Sequence, residues 1–363
     1  MTTTRARGLG IPFDGTPGPF NAITDVSGVE VGFTTLVEGD GPGAVRTGVT
    51  AVLPRGRAGV GDPCQAGMYS MNGNGELTGS HWIAETGLLH LPLAITNSHA
   101  VGPVHRGIID WVVAHHPAIA REWLLPTVGE TYDGDLNDIN GRHVTSDHAA
   151  AALDAATSGP VAEGNVGGGT GMNCYAFKGG TGTASRVITL GDASYTVGVL
   201  MQANFGDRNE LVIKGTPVGR LIREVNPFEE AGDAPGKGSV IVVVATDAPL
   251  LPQQCQALAR RVPLGLARTG TTGSHYSGDI FLAFSTANSG TTHVGWESRP
   301  SEGTLHSVDF LPWAHIDRLY AATVQAVEEA TVNTLVAAET MVGRNGFRSP
   351  KLPLDQLTEL LHL

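Results

Sequence analysis

The run "VIVVVAT" at residues 240–246 constrains this chain more than any other stretch. Six of its seven residues are β-branched and none is charged. Such a strand has no solvent face, so its sheet needs a layer on both sides. The run is preceded by Gly238-Ser239 and by the loose segment "EEAGDAPGK" (229–237), where a Gly-Ser pair reads most simply as the end of a turn. Beyond the run, Asp247 is placed to cap a helix whose first turn tolerates Pro249.

Other strands are expected at 22–36, 47–55, 185–190, 195–206 and 277–288. Helices are expected at 103–115, 142–157, from Pro252 to about Val262, and at 315–343. In the last of these, Ile316, Leu319, Tyr320, Val324, Val327, Thr331 and Leu335 keep helical spacing, so one face belongs to the core. Strands and helices interleave in both halves, which favours a layered α/β architecture. No linker or repeat divides the 363 residues, so a single domain is expected. The 49 glycines follow no three-residue period and point to tight turns and close backbone approaches.

A formal charge of −12 with no basic stretch argues against nucleic-acid binding. No apolar run approaches the length of a membrane span, and "MTTTRARGLGIPFDG" lacks an apolar signal region. Cys64, Cys174 and Cys255 are odd in number and far apart, which argues against a disulfide framework. A cytoplasmic setting is expected.

Several familiar motifs fail on spacing. "EGNVGGGTGM" (163–172) lacks the G-x-G-x-x-G register and a following Lys-Ser/Thr pair, so it reads as a tight turn lining a site. "YDGDLNDINGRHV" (132–144) places Asp133, Asp135 and Asn137 like a calcium loop. However, Asp138 stands where glycine is required and Val144 where glutamate is required. The thirteen histidines include no H-E-x-x-H, so no metal site is expected. Nor is there a G-x-S-x-G elbow; Ser239 heads a strand instead of leaving one.

Taken together, "NAITDVSGVEVG", "MNGNGELTG", "ETYDGDLNDINGRHVT", "EGNVGGGTGM", "VLMQANFG", "GSVIVVVATDAPL" and "RTGTTGSHYSGDIFLAFSTAN" resemble the DmpA-type L-aminopeptidase/D-amidase-esterases and the β-peptidyl aminopeptidases. The resemblance runs from about residue 21 to "AAETMVGRNG" at 337–346. It implies a four-layer αββα sandwich shared with the ornithine acetyltransferases. It also implies a precursor that cuts itself between Gly238 and Ser239, giving an α part of 1–238 and a β part of 239–363. The freed Ser239 would be the nucleophile. Its own α-amino group, with a pKa near ~8, would act as base. Glycine before the serine would allow strained backbone angles, and the "EEAGDAPGK" loop would present the bond.

The same resemblance assigns Asn204 in "QANFG" as oxyanion donor, assisted by Tyr132 in "ETYDG". Glu130, in that same motif, would hold the substrate's free amine. Ser277 in "SGD" would hydrogen-bond the nucleophile, with Asp279 where the family often has glutamate. Taken singly, Asp279 could cap a turn, Asn204 close a loop and Glu130 be a surface charge; the joint match is what gives them roles. No cofactor is implied. The implied substrates are small peptides or amino-acid amides, and the implied assembly is a homo-oligomer, often a tetramer of processed αβ units. Two other outcomes stay open on this fold: acyl transfer to an amine, as in the threonine-dependent ornithine acetyltransferases, and a binding protein that is never cut.

Overall fold

The 240–246 run lies inside a six-stranded sheet, third from one edge. The computed structural model describes residues 5–230, 237–293, 295–296 and 300–363. The first strands are β1 (Glu30–Glu38), β2 (Val45–Leu53), β3 (Cys64–Ser70), β4 (Leu88–Leu89), β5 (Leu93–Asn97) and β6 (Thr127–Thr131). A short hairpin, β7 (Asn173–Cys174) and β8 (Phe177–Lys178), precedes β9 (Gly180–Leu190), β10 (Ala193–Asn204), β11 (Lys237–Thr246) and β12 (Tyr276–Ser285). The larger sheet has the order β4-β3-β12-β11-β10-β9, and a four-stranded sheet has the order β1-β2-β5-β6. Both are mixed: β11–β12 and β5–β6 run parallel and the other pairs antiparallel.

The alternation along β11 shows why the run is apolar on both faces. Ile241, Val243 and Ala245 enter a core between the sheets with Leu93, Ile95, Leu200 and Ile280. Val240, Val242 and Val244 enter a second core with Leu319, Ala326 and Val327 of the helix Asp317–Ala337. A third core packs Val49, Ala51 and Val128 against the helices Val101–His115 and Ser146–Asp154. Three cores between four layers make the αββα sandwich. Each fully buried Val or Ile contributes ~1.5–3 kcal/mol relative to exposure, so this strand anchors both adjoining cores.

Several elements differ from expectation. Residues 22–29 are not strand, because the Asp25 carboxylate accepts the N–H groups of Phe20 and Ala22 (2.9 and 3.1 Å) and folds the segment into a turn. Asp247 caps no helix; its Oδ1 accepts from Thr196 N (2.7 Å), tying β10 to the end of β11. The helix begins at Pro252, a residue with no N–H to leave unpaired at a helix start. It ends at Ala259, and Val262–Ala267 forms a separate helix around Pro263. The helix Asp317–Ala337 is buried all round from Ala326 onward, not on one face, because Val262–Ala267 packs against it in addition to β9 and β10. Inside it, Glu329 pairs with the buried Arg186 of β9 at 2.7 Å. Among the described residues, no helix is long and apolar enough to cross a membrane.

Candidate active site

Strand β10 runs antiparallel to β11, and the register sets Asn204, its last residue, opposite Ser239. Cross-strand partners share a face, so both side chains point into the end of the space between the sheets. Strand β6 of the other sheet ends there. The next residue, Tyr132, donates its backbone N–H to Ser239 Oγ at 3.3 Å. Ser239 is 2% exposed, so its hydroxyl is shielded by strands from both sheets.

Strand β11 opens at Lys237, so Gly238 lies within the ladder and not in a turn. Its backbone is not in the left-handed region. What requires glycine there is space: a Cβ would come within 2.5 Å of the Asn204 carbonyl oxygen and 3.0 Å of Phe205 Cα. Close approach, rather than strained angles, explains the residue. Of "EEAGDAPGK", residues 231–236 lie outside the described residues.

The orientation of Asn204 is fixed by its neighbours. Its Oδ1 accepts from Asn173 N at 2.8 Å, and its Nδ2 donates to the Tyr132 carbonyl at 3.0 Å. A side-chain amide has two N–H groups, so one remains for a group at Ser239. Tyr132 meets both residues through its main chain, while its side chain is exposed.

Ser277 pairs in register with Gly238, and Asp279 with Val240, so they flank Ser239 along the neighbouring strand. The Ser277 hydroxyl turns to Asp279 Oδ1 (2.5 Å) rather than to Ser239. The shorter acid therefore reaches its serine. Asn72, in "MNGNG", locks Asp279 from the other side: its Oδ1 accepts from Asp279 N (2.8 Å) and its Nδ2 donates to Oδ2 (3.3 Å). Burial raises the Asp279 pKa, against the hydrogen bonds from Ser277 and Asn72 that lower it.

Glu130 is 6% exposed and is no surface charge. Its Oε1 accepts from Glu76 N at 3.0 Å, and its Oε2 from the Ser98 hydroxyl. Burial raises its pKa, opposed by those two hydrogen bonds. No arginine or lysine pairs with it among the described residues, which leaves its charge available to a cation from outside. The neighbouring Asp133 is fully buried, its Oδ1 bonded to Asn137 Nδ2 (3.1 Å), and burial pushes it up to about 7. The "GGGTG" turn (167–171) is wholly buried between β2, β5 and β9, and a Cβ on Gly168 would meet the Ile95 carbonyl at 2.6 Å. These glycines serve backbone packing beside the site. Asn72, Ser98 and Asn173 were not singled out from the sequence; Asn72 stood within the quoted "MNGNGELTG", and Asn173 one residue past "EGNVGGGTGM".

A buried serine between two sheets, with an oriented amide and an unpaired carboxylate nearby, defines a class: hydrolases that use a strand-borne serine. Comparison makes this specific. The sequence matches peptidase family S58 over residues 21–349, and the chain belongs to that family. It is 49% identical to the β-peptidyl aminopeptidase BapA of Sphingosinicella microcystinivorans, over 98% of this chain and 91% of that protein. The structure of a Burkholderia sp. β-aminopeptidase superposes with a TM-score of 0.91 at 48% identity, covering 99% of this chain and 98% of the other. An L-aminopeptidase D-Ala-esterase/amidase from Ochrobactrum anthropi, described as a prototype for the serine aminopeptidases and a variant of the Ntn hydrolase fold, gives 0.91 at 45% identity with the same coverage. The chain is thus a hydrolase of the serine aminopeptidase type on the sandwich expected from its sequence.

Proposed function

We propose that this chain is an aminopeptidase that cuts itself between Gly238 and Ser239 and uses the new N-terminal serine to release N-terminal residues from small peptides, amides or esters. The single observation that carries the reading is the position of Ser239 Oγ, under the Tyr132 N–H and opposite Asn204. In the uncut chain the Ser239 nitrogen is a peptide nitrogen; hydrolysis would turn it into a basic amine beside the hydroxyl. The Ser239 oxygen then attacks the substrate carbonyl and its proton passes to that amine. The proton goes on to the departing amine as the scissile C–N bond breaks, leaving an ester on Ser239. Water hydrolyses the ester and restores the serine. Asn204 Nδ2 and Tyr132 N are the donors for the oxygen that becomes negative in each step. Ser277 and Asp279 lie one residue to either side of the new amine in register, where they steady its position. Glu130 holds the substrate's ammonium.

A homo-oligomer of processed αβ units and a cytoplasmic setting belong to the same proposal. The absence of disulfides among its three buried cysteines supports a reducing compartment. Light scattering on purified protein measures the assembly. Ser239→Ala tests the function: it is expected to remain one chain and to release no p-nitroaniline from β-alanyl, L-alanyl or D-alanyl p-nitroanilide. Turnover in that variant would overturn the reading.

A further inference from the structure

Lys178, on β8, is fully buried, and no carboxylate pairs with it among the described residues. The titratable group that acts on it electrostatically is Cys174, whose thiol burial pushes up to about 12, so that group is neutral and no counter-ion. Burying an ammonium without a counter-ion is costly, and a leucine or methionine would fill the same space without that cost. What surrounds the nitrogen is carbonyl oxygen: Met172 O at 2.8 Å, Gly179 O at 2.8 Å and Gly169 O at 3.4 Å. Burial lowers the Lys178 pKa to about 7. Against that, three acceptors match the three donors of an ammonium, whereas a neutral amine would turn its lone pair on one of them, so the carbonyls favour the charged form.

The carbonyl of Met172 belongs to the peptide unit whose N–H is that of Asn173. That N–H is the group bonded to Asn204 Oδ1 at 2.8 Å. A chain of hydrogen bonds therefore runs from Lys178 Nζ through the 172–173 peptide and the Asn204 amide to the space beside Ser239. Each bond in such a chain polarises the next, and a positive end raises the donor strength of the far N–H. Gly179 N also donates to Met172 O (2.8 Å), so both lone pairs of that carbonyl are engaged and the peptide cannot turn.

We propose that Lys178 is a positioning residue of the oxyanion site, acting through the Met172–Asn173 peptide on Asn204. Resting on the aminopeptidase reading, this adds a charge behind its donor. Lys178 touches no substrate. It fixes which end of the Asn204 amide faces the serine and strengthens the hydrogen bond given there.

Lys178→Met and Lys178→Gln test this on processed protein, with Asn204→Ala and the double variants made alongside. Gln keeps donors for two carbonyls and removes only the charge, so it separates charge from knitting of the turn. Asn204→Ala alone is expected to lower kcat by roughly a hundredfold; if it does not, the oxyanion assignment itself fails. With that assignment standing, Lys178→Met is expected to lower kcat about tenfold or more with KM within about twofold, and Lys178→Gln to fall between it and the parent. In the Asn204→Ala background either change is expected to cost less than about twofold further, because the path to the oxygen is already cut. A kcat within twofold of the parent in either single variant would overturn the proposal. So would a loss that multiplies fully with that of Asn204→Ala, since a merely structural lysine would act independently of Asn204.

Discussion

Glu130→Gln is the substitution that most sharply separates an amine clamp from an ordinary buried acid. The carboxylate is nearly inaccessible, has two hydrogen-bond donors and, among the described residues, has no lysine or arginine partner. Stranding a buried charge without its partner typically costs ~3–5 kcal/mol. Here the Glu76 N–H and the Ser98 hydroxyl already offset part of that, so about 2 kcal/mol, or roughly thirtyfold in kcat/KM, is the expected loss when Gln replaces Glu. Gln still accepts from Glu76 N, so the loop around it should hold and the melting temperature change little. The assay compares β-alanyl, L-alanyl and D-alanyl p-nitroanilides with their N-acetylated counterparts. The parent should discriminate by roughly thirtyfold or more, because the same two donors offset part of the cost of leaving the Glu130 charge without a partner. Glu130→Gln should slow the free-amine set and leave the acetylated set within about threefold, so the discrimination narrows. There is also a pH signature. Since burial raises the Glu130 pKa, it takes up a proton at higher pH than a surface glutamate, and KM for free-amine substrates should climb early as pH falls. Unchanged discrimination in Glu130→Gln would refute the clamp and place it on another carboxylate.

Gly238→Ala puts a methyl 2.5 Å from the Asn204 carbonyl, where ordinary contact begins near 3.4 Å, so β10 and β11 must part by 0.9 Å. Most of the purified variant is expected as uncut chain on a denaturing gel; parent-like processing would contradict that reasoning. Asp279→Asn weakens the acceptor of the Ser277 hydroxyl on the strand beside Ser239. A fall in kcat of about tenfold or more with KM within threefold is expected, and unchanged turnover would remove the pair from the mechanism.

The parts of the fold that were legible are those whose composition forces burial. The 240–246 run announces a two-sided strand because six β-branched side chains cannot face water. Strand β6, "TVGET", announces nothing: three of its five residues are polar, yet all five are buried because the other sheet and the loop at 74–78 cover them. Strand β5, "LAITN", was not expected either, because its apolar run is only three residues long. The site shows the same division. Ser239, Asn204 and Glu130 stand out only when the motifs are read jointly; Ser239 meets Asn204 through a β10–β11 register that joins segments separated by 32 residues (205–236), and Glu130 arrives on β6 of the other sheet. Lys178 carried no local signal, since one lysine before two glycines looks like a surface turn. Its burial is a property of the carbonyls that close around it, and those come from the turn at 167–172 and from Gly179. The glycine at 238 was noticed for a conformational reason and is required for a steric one.

The central claim is that Ser239 becomes an N-terminal residue. Intact-mass measurement of freshly purified protein, joined to N-terminal sequencing of the bands on a denaturing gel, tests it most directly. The expected result is two pieces of 238 and 125 residues, the lengths of 1–238 and 239–363, with the smaller piece reading Ser-Val-Ile-Val-Val from its first cycle. A single full-length mass, as a binding protein of this fold would give, or a smaller piece beginning at any other residue, would contradict the account.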